Sequence, residues 1–366
     1  SLLSNCGNET PISTKILLQD SLLYDIQKQF DILDFLKPQN YESEKQKFMT
    51  SYHNNEIYNP QYIYNVPPIL INKLSNDLSK IDTLESKHPL SIILNEKYQE
   101  LENQVMLLKN IGNSSSFTDF SVRLYSKPTD DLFKMAENFI RNNLNKNEIE
   151  DDEFIPFDKT LVYFIGILDS LKLKDWRVEA TNKISAKANV NNNTQTIQLN
   201  RNTTFTKSLL KRLKSHEIEV HVQRNENGKN FPLKLLSLGL SGYLGTEEGL
   251  ASYNEERNNC LSKSTMNIYC GRVVAVKLSL TYSFYNVFEN LINLGFNEED
   301  AFIITYRTKR GLSNTQEPGS FTKDYLYYKG YNEVKTYIKN PHDFDDLLEY
   351  GKIDIHHLEI MKKVFG

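Results

Sequence analysis

His216-Glu217-Ile218-Glu219-Val220-His221 sets two imidazoles five residues apart, with a carboxylate directly after the first. The shorter and commoner string, His-Glu-x-x-His, puts its two His at i and i+4 on one helical face, where they grip zinc while the Glu activates a water. Here the second His falls about 140° around an ideal helix at roughly 100° per residue, so a regular helix splays the two rings apart. Both reach one ion only if the helix widens. The spacing therefore predicts a single-turn π-bulge, with bonds from i to i+5, of the kind that gathers at functional sites. His216 and His221 are the expected zinc ligands, and Glu217 the expected general base. Glu219 reads as a solvated helix carboxylate.

A hydrolytic zinc ion takes three protein ligands and keeps one position for water. Thr246-Glu247-Glu248-Gly249-Leu250-Ala251 begins a helical pattern, and Glu248 lies 27 residues after His221. Thr246 reads as its cap. Glu248 is the expected third ligand with Glu247 the alternative, because adjacent helical side chains point about 100° apart and only one faces the ion. Acidic residues also favour the first turn of any helix for dipole reasons, so the pair gains meaning only from the His string before it. His53, His88, His342, His356 and His357 stand in polar or terminal contexts and read as surface residues.

Upstream of the His string, Trp176–Ala180, Ile184–Val190 and Thr194–Asn200 alternate in polarity, and Asn191-Asn192-Asn193 supplies a turn between the last two. A small antiparallel sheet is expected there, leading through Thr203–Thr206 into the metal-bearing helix from Lys207. A sheet edge beside such a helix can hold an extended peptide by main-chain bonds. The first third is helical: apolar residues recur from Lys15 to about Phe48, then from Pro68 to Gly112 and from Thr129 to Leu144. Asn145–Glu153 is polar and acidic, a lobe boundary. Helical periodicity returns from Gly271 to Lys309, with Gly311 as its C-cap, and a last helix is expected near Thr322.

A second polar group comprises Arg307, Arg310, Lys323 and Tyr327. Basic residues at a helix C-terminus also serve the dipole, but Arg holds a carboxylate bidentately and a Tyr hydroxyl stabilises an oxyanion. Arg307, Arg310 and Lys323 are candidates for binding a substrate carboxylate, and Tyr327 for a catalytic role.

The chain has 366 residues, 43 basic against 47 acidic for a net charge of -4, with no basic block of the kind that tracks phosphate backbones. No nucleic-acid partner is expected. No run approaches the roughly 18 apolar residues that cross a bilayer, so no membrane partner is expected either. Cys6, Cys260 and Cys270 form no Cys-x-x-Cys unit and cannot all pair, which suits a reducing, cytoplasmic setting. Ser1–Cys6 resembles the stump of a lipoprotein leader but lacks its basic region and full apolar segment.

His216-Glu217-Ile218-x-x-His221, Thr246-Glu247-Glu248-Gly249-Leu250-Ala251, Arg307-x-Lys309-Arg310-Gly311 and Phe321-Thr322-Lys323-Asp324-x-x-Tyr327-x-x-Gly330 together resemble the microtubule-associated tyrosine carboxypeptidase family. Tyr58-Asn59-Pro60-Gln61-Tyr62 and Leu124-Tyr125 extend the likeness toward the N-terminus. The resemblance implies a zinc-dependent peptidase with His216, His221 and Glu248 on the metal and Glu217 as the catalytic Glu. Bacterial relatives have Gln where this chain has Glu247, which matches the animal version. The family's activity is removal of a C-terminal tyrosine from α-tubulin.

The expected fold is α+β and predominantly α-helical: an N-terminal helical lobe over 1–150, a zincin-like catalytic domain with its small sheet over 151–340, and a tail over 341–366 packed on it. The expected function is that of a monomeric zinc metallocarboxypeptidase acting on a peptide or protein C-terminus, tubulin included where the source has it, and releasing tyrosine or another aromatic residue. The alternatives are a zinc aminopeptidase or dipeptidyl-peptidase, or a non-catalytic helical zinc-binding protein.

Overall fold

The computed structural model describes residues 11–85, 87–144 and 152–366. Cys6 and most of the expected boundary at Asn145–Glu153 lie outside the described residues. Helices dominate, and the strands are few and short.

The first part carries α1 (Thr14–Gln27), α2 (Tyr41–His53), α3 (Pro68–Ser79), α4 (Pro89–Lys109), α5 (Ser114–Tyr125) and α6 (Asp130–Asn143). The amphipathic helix expected from Lys15, with Lys37-Pro38 closing the stretch, is in fact broken earlier. After α1, the Asp31 carboxylate accepts the Leu33 amide at 3.0 Å and starts a 3-10 turn over Ile32–Phe35. An Asp side chain that bonds local backbone competes with helix propagation, and Pro38 then delays α2. Elsewhere the punctuation acts as expected: Pro68 and Pro89 open their helices, and Thr129 caps α6 through the Leu132 amide at 3.2 Å. His88, expected at the surface, is buried and caps α4 by accepting the Leu90 amide at 3.2 Å. His357 is buried as well.

The sheet region holds β1 (Phe154–Ile155), α7 (Phe157–Ser170), β2 (Arg177–Thr181), β3 (Ala188–Asn191), β4 (Thr196–Asn200) and β5 (Phe205–Thr206). β3 and β4 form the expected antiparallel hairpin, but β4 inserts between β3 and β2 and runs parallel to β2. The sheet is therefore mixed rather than antiparallel. Alternation of polarity fixes which face a residue takes and says nothing about which strand lies beside it. β1 pairs with β5 in a separate two-stranded sheet.

From β5 the chain enters α8 (Lys207–Leu213), whose cap is Thr206, and continues without a break into a π-helix over Lys214–Val222 and then α9 (Gln223–Gly228). α10 (Leu235–Leu238) leads to α11 (Tyr243–Arg257). Thr246 does not cap α11, which starts three residues earlier after Gly242; its hydroxyl instead donates to Asp354 Oδ1 at 3.1 Å and accepts the Ile355 amide at 2.9 Å. The stretch from Gly271 to Lys309 divides into α12 (Lys263–Ser279), α13 (Phe284–Leu294) and α14 (Glu298–Lys309), separated at Ser283 and Asn297, which each cap the helix that follows. Thr322 starts a 3-10 turn into α15 (Leu326–Tyr337), which is not the last helix: α16 (Pro341–Glu349) and α17 (Leu358–Phe365) follow.

Packing explains why the widened segment holds its place. One apolar cluster joins Leu23, Leu94 and Phe117 of the helical part to Val220, Leu250, Val334 and Leu347. Another joins Phe164, Trp176, Ile197 and Leu199 around the sheet to Leu213, Ile218 and Val222. The π-helix is wedged between them, with Val220 on one side and Ile218 and Val222 on the other, each burial contributing about 1.5–3 kcal/mol. A third cluster joins Phe48 and Ile140 to Val273, Phe288 and Phe302. α11 and α15 cross so closely that a Cβ on Gly249 would lie 2.2 Å from the Gly330 carbonyl oxygen.

Candidate metal centre and substrate cavity

The π-helix brings together what a regular helix separates. The His216 and His221 rings lie 4.8 Å apart, nearly perpendicular, and both turn Nε2 toward Glu248 of α11. Glu248 Oε2 is 3.2 Å from His216 Nε2 and 3.6 Å from His221 Nε2. Ligand atoms about 2.0–2.1 Å from one tetrahedral ion stand roughly 3.3 Å from each other, so the trio is spaced as a zinc-sized cation requires. Glu247 points away from this centre, which resolves the pair in favour of Glu248 as the converging carboxylate.

The outer nitrogens each meet a carboxylate. His216 Nδ1 lies 2.5 Å from Glu255 Oε1, and His221 Nδ1 lies 2.8 Å from Glu247 Oε1. With a metal bound, each carboxylate would hold the ring proton on Nδ1 and leave the Nε2 lone pair to the ion, the arrangement that orients histidine ligands generally. Glu247 is itself held by Arg224 Nη1 and Lys352 Nζ, both at 2.7 Å. Glu255 accepts from Tyr269 at 3.3 Å and pairs with Arg212 at 3.6 Å. The widened turn is clamped to α11 by Asn254, whose amide donates to the Ser215 carbonyl and to Glu219, both at 2.9 Å.

Electrostatics support a cation at this point. Burial disfavours a charged imidazole, yet Tyr269, Glu248 and Glu255 hold the His216 pKa well above its ordinary value. That local excess of negative charge is what a divalent ion would neutralise. The Glu248 carboxyl, which burial alone would push up, is brought down to about 2 chiefly by His221 and His216. Glu217 is buried with Oε2 4.0 Å from His221 Nε2, and burial raises its pKa against the pull of the two imidazoles. A carboxylate so placed is a proton acceptor of more than ordinary basicity.

These side chains form the floor of a cavity of about 720 Å³. Arg307, Arg310, Lys323 and Tyr327, far along the chain, line the same space. Arg307 is already bound bidentately to Asp324, through Nε at 2.5 Å and Nη2 at 3.1 Å, and Arg310 reaches the same carboxylate at 3.4 Å. Burial opposes ionisation of Asp324, but Arg307, Arg310 and Arg272 hold it well below the usual carboxylate range. Several cations therefore share one carboxylate, and the wall stays positive. The Tyr327 ring stacks on Tyr269 at 5.3 Å, with the Arg272 guanidinium 4.5 Å and the Lys323 ammonium 5.2 Å from its centre. Ala188, Asn189, Val190 and Asn191 of β3 also line the cavity. β3 is an outer strand of its sheet, with β4 on one side only.

Sequence reasoning missed the groups that hold the ligands. Glu255 was within reach, since it follows Glu248 by seven residues and so shares its face of α11. Arg224 was also near, eight residues beyond His216. Lys352 had no local signal, because it comes from the segment between α16 and α17.

The chain is thus mainly helical, with two His of a widened helix and one Glu of α11 converging as a group that could hold a metal ion. The family model for microtubule-associated tyrosine carboxypeptidase matches residues 46–366. The chain belongs to that family. Microtubule-associated tyrosine carboxypeptidase 1 of Mus musculus is 23% identical over 345 residues, covering 89% of this chain and 61% of that protein. The Rattus norvegicus protein of the same name is 22% identical over 345 residues, with the same coverage. The chain thus spans about three-fifths of the length of these relatives.

Proposed function

We propose that the protein is a zinc-dependent carboxypeptidase that hydrolyses the last peptide bond of a peptide or protein and releases a C-terminal tyrosine or other aromatic residue. The observation that carries this reading is the placement of the His216, His221 and Glu248 trio and the basic Glu217 in one cavity with a cationic wall. A zinc ion on the three ligands would supply Lewis-acid polarisation of the scissile carbonyl and make a nucleophilic water available near neutral pH. Glu217 accepts that water's proton and returns it to the leaving amine. Arg310 and Lys323 receive the substrate's terminal carboxylate, while Arg307, tied to Asp324, holds the wall in position. Tyr327 donates to the developing oxyanion. The outer strand β3 offers main-chain groups to an extended peptide, giving the zincin-like arrangement of sheet edge and metal helix.

The names of the relatives favour tyrosine as the released residue and a microtubule as one setting for it. No helix among the described residues is long and apolar enough to cross a membrane. A monomer acting in the cytoplasm, without nucleic acid, fits this account. Product analysis on peptides blocked at one end tests the direction of attack: N-acetylated peptides should lose one C-terminal residue, and C-terminally amidated ones should survive. Cleavage that survives amidation and is abolished by N-acetylation would assign the enzyme to aminopeptidase chemistry instead.

A further inference from the structure

One wall of the cavity comes from outside the family match, which begins at residue 46. Phe30, Asp31, Ile32, Leu33 and Asp34, the turn between α1 and α2, line the same space as the metal trio and the cationic wall. The turn is anchored rather than loose. Asn193, at the β3–β4 turn, donates to the Phe30 carbonyl at 3.1 Å, and Lys37 Nζ donates to the Asn182 carbonyl at 2.8 Å. Phe30 and Ile32 are also buried in the main apolar cluster.

Within this wall Asp31 is the unusual residue. Its Oδ1 accepts the Leu33 amide, and no donor reaches its Oδ2 among the described residues. Burial raises its pKa, while the Leu33 amide and the charges of Lys323 and Arg310 draw it down, so Asp31 stands within the field of the cations that would hold a substrate's terminal carboxylate. Tyr243 of α11 lines the same cavity, so this wall and the floor face one space. The neighbouring acids differ from Asp31 in occupancy or in exposure. Both oxygens of Glu100 are taken, by Lys97 and by the Gly242 amide, and Asp34 is exposed.

An apolar rim of Phe30, Ile32 and Leu33 with the unoccupied Oδ2 of Asp31 among them suits a side chain with an apolar body and a donating tip. We propose that Asp31 is a specificity-determining residue, whose Oδ2 accepts a hydrogen bond from the side-chain tip of the substrate's C-terminal residue and so selects a phenol over a plain phenyl ring. The proposal rests on the carboxypeptidase reading given above. Asp31 is partly exposed in the open cavity, and a bound C-terminal side chain would cover its Oδ2, so a substrate lacking the hydroxyl would leave that acceptor desolvated and unpaired.

The test compares N-acetylated peptides ending in Tyr, Phe or Lys on the zinc-loaded wild type, Asp31→Asn and Asp34→Asn, alongside calorimetric binding of free tyrosine and phenylalanine. Asn is itself a good cap, so the 3-10 turn should persist in Asp31→Asn. The wild type should favour the Tyr peptide over the Phe peptide by at least about tenfold in kcat/KM. In Asp31→Asn the Tyr rate should fall more than the Phe rate and bring the ratio near one, and Asp34→Asn should keep the wild-type ratio. A wild type that does not discriminate, an unchanged ratio in Asp31→Asn, or a preference for the Lys peptide over the Tyr peptide overturns the proposal. If no peptide is cleaved but free tyrosine still binds more tightly than phenylalanine and only Asp31→Asn removes the difference, the pocket assignment stands and the carboxypeptidase reading fails. Equal binding of the two amino acids by the wild type refutes the pocket.

Discussion

Replacing Glu255 with Gln isolates the contribution of a residue that would act on a bound metal only through His216. The Glu255 carboxylate lies 2.5 Å from His216 Nδ1, a charge-assisted contact whose net worth is about 1.5–3 kcal/mol. Gln keeps the size and an acceptor oxygen but removes the charge that favours the Nδ1–H tautomer. Loss of such an outer partner weakens metal binding about 10–100-fold, and at roughly 1.4 kcal/mol per tenfold this corresponds to about 1.4–2.8 kcal/mol, within the range of the contact itself. The fold should suffer less, because the other partners of Glu255 are longer contacts: Tyr269 at 3.3 Å and Arg212, which reaches solvent, at 3.6 Å. Zinc affinity measured by competition with a chromophoric chelator, alongside thermal unfolding of the apo protein, separates the two effects. An affinity within about twofold of wild type would refute the tautomer argument. So would a loss as complete as in His216→Ala, which would make Glu255 a ligand.

Two further predictions concern the frame around the site. Gly249→Ala pushes a methyl against the Gly330 carbonyl at the α11–α15 crossing and should destabilise the fold by about 1–3 kcal/mol or more, seen as a lower urea midpoint; an unchanged midpoint would mean the two helices are free to part. Asp324→Asn leaves Arg307 buried beside a neutral partner and should cost about 3–5 kcal/mol near pH 7. Because the folded pKa of Asp324 lies below its unfolded value of 3.8, its contribution is present above that value and is lost as pH falls through the folded one. The stability gap between wild type and Asp324→Asn should therefore be constant from pH 5 to 7 and narrow below about pH 4. A gap that ignores pH would contradict the assignment.

What the sequence made legible follows from the range of the forces involved. The five-residue His spacing specified the π-helix, because two ligands of one ion must share a face, and the structure widens over Lys214–Val222. Pro68, Pro89 and Thr129 marked helix starts through backbone chemistry confined to one turn. Errors came where a partner is distant in sequence. Thr246 has the right type for a cap, but its hydroxyl is engaged by Asp354 and Ile355, more than a hundred residues away. Arg307 looked free to meet a substrate, yet Asp324 holds it. Asp31 falls within the stretch of helical periodicity that begins at Lys15, but α1 ends at Gln27 and Asp31 instead starts the 3-10 turn that lines the cavity.

The central claim is that one zinc ion sits on His216, His221 and Glu248 while Glu217 moves the proton. The most direct measurement is turnover of an N-acetylated, tyrosine-ending peptide by the Glu217→Gln variant, followed by mass spectrometry, with zinc content determined on the same sample. The variant should carry one zinc per chain, as in the wild type, and turn over at a rate reduced by at least about a hundredfold. Turnover at the wild-type rate with zinc in place would contradict it.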